Sequence, residues 1–246
     1  MRPSLGFIAI LAGVTIVGCG EDGARSDDAT ELAAACDAYL GLVAAFGAEE
    51  PPDFAVEIAP RLDTLESDAP ESIQDDVAVM VAAGRTAESG DTAQFETSEF
   101  ADAKQSVDAF AFDECPADVR LEVTATDYSF AGLPASIKAG VVALQLSNSS
   151  TAGEAHEAVV LRLNDGVTGT FAEVLALPEE EAMASASVLG ATFAPDADRP
   201  GVGFFDLAPG SYAVVCFVPV GASDDNPEGT GPPHFVQGMI EEFVVE

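Results

Sequence analysis

Apolar residues recur at three- and four-residue spacing through the first half of the chain, and in alternation or short continuous runs through the second. The first texture predicts amphipathic helices and the second predicts strands. Leu32, Cys36, Tyr39, Leu40, Val43 and Phe46 make one helical stripe, with Thr30 placed to cap its start. Pro51-Pro52 breaks the chain, and residues 54–65 begin a second helix. Pro70 suits the first turn of a third, whose stripe is Ile73, Val77, Met80 and Val81. Phe95, Phe100, Val107 and Phe110 mark a fourth that ends before Cys115-Pro116. Four helices joined by short connections predict an up-down-up-down bundle over residues 29–117.

Residues 118–246 read differently. Segments 121–126, 141–146, 156–163, 203–205, 212–217 and 239–246 are short apolar or alternating runs separated by Gly, Pro, Asn and Asp. That spacing predicts an antiparallel β-sandwich. Residues 170–176, with Phe171, Val174 and Leu175, predict one short helix, and Glu179, Glu180 and Glu181 suit the N-terminus of another. The expected fold class is therefore α+β in two domains, a helical bundle followed by a sandwich.

The strand-rich half also carries the chemistry. The chain has two histidines and four methionines. His156 opens one predicted strand, Cys216 closes another, and His234 and Met239 flank the start of the last. A thiolate, two imidazoles and a weak thioether are the set that serves copper cycling between Cu(I) and Cu(II). Residues of roughly 120 to 246 resemble a cupredoxin, the family of plastocyanin and pseudoazurin. His234 and Met239 keep the family's four-residue gap, Gly238 precedes the Met, and Tyr212 lies four before Cys216. The resemblance implies a cupredoxin-like sandwich with a type 1-like copper held by His156, Cys216, His234 and Met239. Two features depart from the family. Seventeen residues separate Cys216 from His234, with 220–233 rich in Gly, Asp and Pro, and His156 is followed by Glu157 where Asn usually ties the ligand loops together.

The N-terminus bears on location. Arg2 precedes the apolar stretch 5–17, which has the form of a secretory signal and is too short to span a membrane. Ile16-Val17-Gly18-Cys19 resembles the bacterial lipobox, which implies removal of residues 1–18, acylation of Cys19 and lipid anchoring in the bacterial cell envelope. Residues 19–28 are polar and read as a tether. With Cys19 assigned to lipid and export permitting disulfides, the remaining three cysteines divide into one pair and one single thiol. Cys36 and Cys115 bracket the helical region, which leaves Cys216 for a metal.

Charge removes one class of partner. Nine basic residues against 43 acidic, a formal net charge of -34, exclude nucleic acid, whose phosphates need Lys and Arg. A solvated acidic surface suits a salty habitat, or steers basic partners. Asp224-Asp225-Asn226-Pro227-Glu228-Gly229 offers hard oxygens for Ca²⁺, but lacks EF-hand spacing and reads as a solvated loop. No Gly-Lys-Ser/Thr phosphate loop, His-Glu-x-x-His or nucleophile elbow is present, so an enzyme is not expected. Two functions stand at this point. One is an exported, membrane-anchored copper protein for electron transfer or copper handling, with a redox or copper-delivery protein as partner. The other is a metal-free cupredoxin-like sandwich acting as a structural or partner-binding lipoprotein.

Overall fold

The structure, a computed structural model, describes residues 22–46, 52–223 and 226–246. The signal, the lipobox-like segment and Cys19 lie outside the described residues, as do Asp224 and Asp225 of the acidic loop. Among the described residues no helix is long and apolar enough to cross a membrane.

The first half is built from α1 (Asp22–Phe46), α2 (Ala59–Asp68), α3 (Gln74–Ala87) and α4 (Ser98–Glu114). α1 begins inside the segment read as a tether, so Thr30 lies within the helix and does not cap it. The caps lie elsewhere. The Asp53 carboxylate accepts from Val56 N–H at the start of a π-helical turn, Phe54–Ile58, that leads into α2. Thr97 accepts from Phe100 N–H at the start of α4. Consecutive helices pack on one another around Tyr39, Leu42, Leu62, Leu65, Val77, Val81 and Val107. Full burial of each aliphatic side chain contributes about 1.5–3 kcal/mol. The Cys36–Cys115 disulfide ties α1 to the residue that closes α4, as expected.

The second half is a sandwich of β1 (Val119–Thr126), β2 (Ser129–Ala131), β3 (Ser136–Ile137), β4 (Gly140–Asn148), β5 (His156–Leu163), β6 (Ala186–Ala194), β7 (Gly201–Leu207), β8 (Gly210–Val215) and β9 (Ile240–Val245). One sheet runs β2-β1-β4-β7 and the other β3-β9-β8-β5-β6. The sheets are mixed, which corrects the antiparallel expectation: β1 pairs in parallel with β4, and β3 with β9. After the β1–β2 hairpin the chain crosses to the second sheet to add β3, and it returns to lay β4 alongside β1 in the same direction.

Alternate residues of facing strands fill the space between the sheets. Leu121 and Val123 of β1 and Leu144 and Leu146 of β4 meet Val160 of β5, Val214 of β8 and Phe243 of β9. β5 and β8 are apolar on both faces because their outer face is also covered. Phe171 of α5 (Phe171–Leu175) packs with Val159, Leu161, Ala213 and Val215. Thr170 and Glu173 form a reciprocal capping box that starts this short helix. α6 (Glu179–Ser185) follows, with Glu179, Glu180 and Glu181 in its first turn as the sequence predicts.

The two halves touch through specific groups. The Arg120 guanidinium of β1 donates to the carbonyls of Phe112, Asp113 and Cys115 at 2.7, 3.2 and 2.6 Å. Gln105 of α4 donates to the Asp198 carbonyl at 2.7 Å, and Phe204 of β7 packs on the bundle core.

Candidate metal centre

All four candidate ligands lie at one end of the sandwich. His156 is the first residue of β5, and Cys216 follows the last residue of β8. His234 begins a 3₁₀ turn, His234–Gln237, and Met239 directly precedes β9. Gly238 closes that turn at φ 104°, a left-handed conformation that glycine adopts without a Cβ penalty. This reversal carries the chain from His234 into β9 within five residues.

Backbone hydrogen bonds fasten the three chain segments together. Phe235 N–H donates to the Cys216 carbonyl at 2.9 Å, and Cys216 N–H to the Met239 carbonyl at 3.2 Å. Met239 N–H donates to the His234 carbonyl at 3.2 Å, and His234 N–H to the Val218 carbonyl at 2.9 Å. The long insertion is closed at its base, where Pro219 and Pro233 form an antiparallel bridge and Val220 exchanges hydrogen bonds with Pro232 and Thr230. Length therefore adds excursion without separating the ligands. The loop-closure cost grows only logarithmically with that length.

The donor atoms converge. His234 Nδ1 lies 3.4 Å from Cys216 Sγ, His156 Nδ1 lies 3.9 Å from it, and the two Nδ1 atoms are 3.2 Å apart. A point in their plane about 2 Å from all three atoms exists, close to the distances at which imidazole and thiolate hold a first-row metal ion. Cys216, His156, His234 and Met239 are each 0% exposed. Three polar donors brought together in a dry site, without hydrogen-bond geometry that pairs them all, are costly unless something occupies the point between them. The set of one thiolate and two imidazoles, with Met239 buried beside them, fits a type 1 copper.

Two carboxylates that the sequence reading had not placed complete the surroundings. Glu157 Oε1 accepts from Phe217 N–H at 3.0 Å, and Glu157 N–H points at Cys216 Sγ from 3.5 Å. Glu157 thus makes the tie between ligand loops for which the resemblance leads one to expect Asn. Glu154 fastens the insertion: its Oε1 accepts from Gly221 N–H at 2.8 Å, and next to it Ala155 N–H donates to the Ala222 carbonyl at 2.9 Å. Its Oε2 lies 3.1 Å from His234 Nε2, close enough for an ion pair but bent away from hydrogen-bond alignment. Such an outer carboxylate orients a ligand imidazole. The Tyr128 ring meets His234 edge-on, with centroids 5.2 Å apart. His156 Nε2 is buried with no hydrogen-bond partner among the described residues.

Burial sets the protonation states. It pushes the Cys216 thiol up to about 12, and it lowers His156 to about 4, with repulsion from a charged His234 adding to the shift. His234 is lowered by burial too, against the pull of Glu154. Without metal at neutral pH, the site is a neutral thiol and two neutral imidazoles. Only the thiol must lose a proton to become a ligand. Copper(II) binding at pH 7 should therefore release about one proton per ion, measurable by titration calorimetry in buffers of different ionisation enthalpy. Release near zero would mean that the thiol does not ligate. Below pH of about 4 the His156 imidazole also competes for protons, so affinity falls on acidification.

A mixed two-sheet sandwich with this ligand set gathered at one end completes the picture of residues 118–246. The β-half has the two-sheet sandwich and the ligand placement that the cupredoxin resemblance implies. No family model matches the chain, and no curated protein is similar enough in sequence to match it. Among solved structures the chain is similar to auracyanin B, at 24% identity and TM-score 0.35, covering 53% of this chain and 91% of that one. Auracyanin A, a blue copper protein from Chloroflexus aurantiacus, is 18% identical with TM-score 0.33, covering 52% of this chain and 98% of that one. Reduced rusticyanin is 16% identical with TM-score 0.29, covering 57% and 95%.

Proposed function

We propose that the protein is an exported, membrane-anchored copper protein that carries single electrons. The convergence of Cys216 Sγ, His156 Nδ1 and His234 Nδ1 within 3.9 Å of one another supports this reading most directly. Bound there, copper supplies a one-electron couple between Cu(I) and Cu(II). The protein's own residues keep the rearrangement between the two states small. The backbone ladder among Cys216, His234 and Met239 holds donor positions constant, Glu157 locks the His156 and Cys216 segments together, and full burial excludes water.

The anchor belongs to the same proposal. Ile16-Val17-Gly18-Cys19 carries it, and acylation at Cys19 would place the protein at a membrane of the cell envelope, where a redox or copper-delivery protein is its partner. A metal-free scaffold is the weaker reading, because it gives no reason to aim three buried donors at one point.

The electron-carrier reading is tested by protein-film or solution voltammetry of the copper-loaded protein, which should show one reversible one-electron wave. Met239→Leu should retain copper and raise the potential by tens of millivolts, since loss of the thioether donor disfavours Cu(II) and about 59 mV is a tenfold change for one electron. An irreversible wave, or copper lost on reduction, would favour storage or delivery over electron transfer.

A further inference from the structure

A cleft of about 760 Å³ lies between the helical bundle and the sandwich, away from the four ligands. Leu42, Leu62 and Phe100 line it from the bundle, and Phe193, Pro195 and Val202 from the sandwich. This volume and position match those of small-molecule sites, which favour domain interfaces and apolar walls with a few convergent polar groups. Six polar residues line the cleft: Tyr39 of α1, Lys104, Gln105 and Asp108 of α4, and Thr192 and Arg199 of the sandwich. Gln105 donates to the Asp198 carbonyl and Arg199 is paired with Asp196, while Tyr39, Lys104 and Asp108 bond to one another.

Their mutual bonding defines what a ligand must bring. Asp108 and Tyr39 are buried, and the Tyr39 hydroxyl donates to Asp108 Oδ1. The Lys104 ammonium donates to Asp108 Oδ2. Both carboxylate oxygens are thus engaged and the tyrosine proton is spent. Lys104, half exposed, keeps two N–H donors with no acceptor among the described residues. A donor or cationic head group would meet mainly engaged groups, whereas an acceptor would meet an ammonium already oriented by its neighbour.

We propose that this cleft binds a small apolar molecule carrying one acceptor head group, a carbonyl or a carboxylate, with the head on Lys104 and the hydrocarbon or ring body between the bundle and strand β6. A purely hydrocarbon molecule would shield the Lys104 ammonium from water while offering no acceptor for the two N–H donors that Asp108 leaves open. The cleft is independent of the metal reading, because none of its lining residues is a ligand.

The test uses the metal-free full chain and the fluorescent fatty acid 11-(dansylamino)undecanoic acid. Saturable, blue-shifted emission at a stoichiometry of one is expected. Ala101→Trp, at an exposed position on the cleft wall, should weaken binding at least roughly tenfold by filling the space. Lys104→Met alone would leave Asp108 buried without its cation, so the head-group contact is tested in Lys104→Met/Asp108→Asn. That variant should lose a charge-assisted bond and bind roughly tenfold more weakly while melting like the wild type. Displacement of the probe by 2-undecanone as well as by decanoate would show that a carbonyl suffices, and displacement by decanoate alone that the charge is needed. The proposal is overturned if there is no saturable signal, if Ala101→Trp leaves the signal intact, or if the signal tracks dimer formation in the ultracentrifuge.

Discussion

Copper(II) added to the Cys216→Ser protein should give no intense visible absorption, while the wild type should turn strongly coloured on taking up one equivalent. The colour arises when a thiolate sulfur bound to Cu(II) transfers charge to it, and Cys216 is the one free cysteine among the described residues. Serine is nearly the same size, so the backbone ladder around position 216 has no steric reason to change. Its hydroxyl is a hard donor that stays protonated, and copper has no other soft sulfur in the plane of the two imidazoles. Burying the hydroxyl costs about 1–3 kcal/mol, which the fold should tolerate, as circular dichroism can verify. His156→Ala or His234→Ala should shift the spectrum instead of abolishing it, since each leaves the thiolate in place and opens one position to water. An unchanged band in Cys216→Ser would place the chromophore elsewhere.

Removing the disulfide should have the largest effect on stability. Cys36 and Cys115 are 79 residues apart, and on the chain-entropy account closing such a loop stabilises by about 4–5 kcal/mol. The loop encloses nearly the whole helical half and none of the sandwich. Cys36→Ala/Cys115→Ala should therefore lower the melting of the bundle by roughly 16–40 °C, at about 4–8 °C per kcal/mol for a domain of this size. The copper colour should survive to its original temperature. Calorimetry and absorbance followed together on one sample separate the two transitions. If both fall together, the Arg120, Gln105 and Phe204 contacts couple the halves into one cooperative unit.

Much of this architecture is legible in the sequence. The helical stripes through Leu32 to Phe46 and Ile73 to Val81 follow from three- and four-residue periodicity: Cys36, Tyr39, Ile73, Val77 and Val81 are buried as the stripes name them, whereas in α1 Leu42 is buried in place of Val43, which is exposed. The cysteine assignment was recoverable because one pair brackets the helices and one thiol stands apart. Strand β6 was not recoverable: Val188, Leu189 and Phe193 are exposed, Gly190 interrupts the run, and no alternation survives. The parallel pairing of β1 with β4 depends on how the chain crosses between sheets, which no local pattern records. The ligand types at positions 156, 216, 234 and 239 could be read, and the cupredoxin resemblance implied their convergence, but the Pro219–Pro233 bridge that closes the insertion and so permits it could not be read. Glu157 stood out as a departure, yet only the fold shows its carboxylate reaching Phe217 N–H. Glu154 gave no signal, since nothing in sequence links it to Gly221 or to His234, 67 and 80 positions away.

The central claim is that two imidazoles and one thiolate hold a single copper ion at the end of the sandwich. X-ray absorption at the copper edge of the loaded protein addresses the bonds themselves. The account predicts two nitrogen neighbours and one sulfur neighbour within about 2.3 Å, with little change between the oxidised and reduced forms. A first shell of oxygen and nitrogen alone, or a sulfur contribution that persists unchanged in Cys216→Ser, would contradict it.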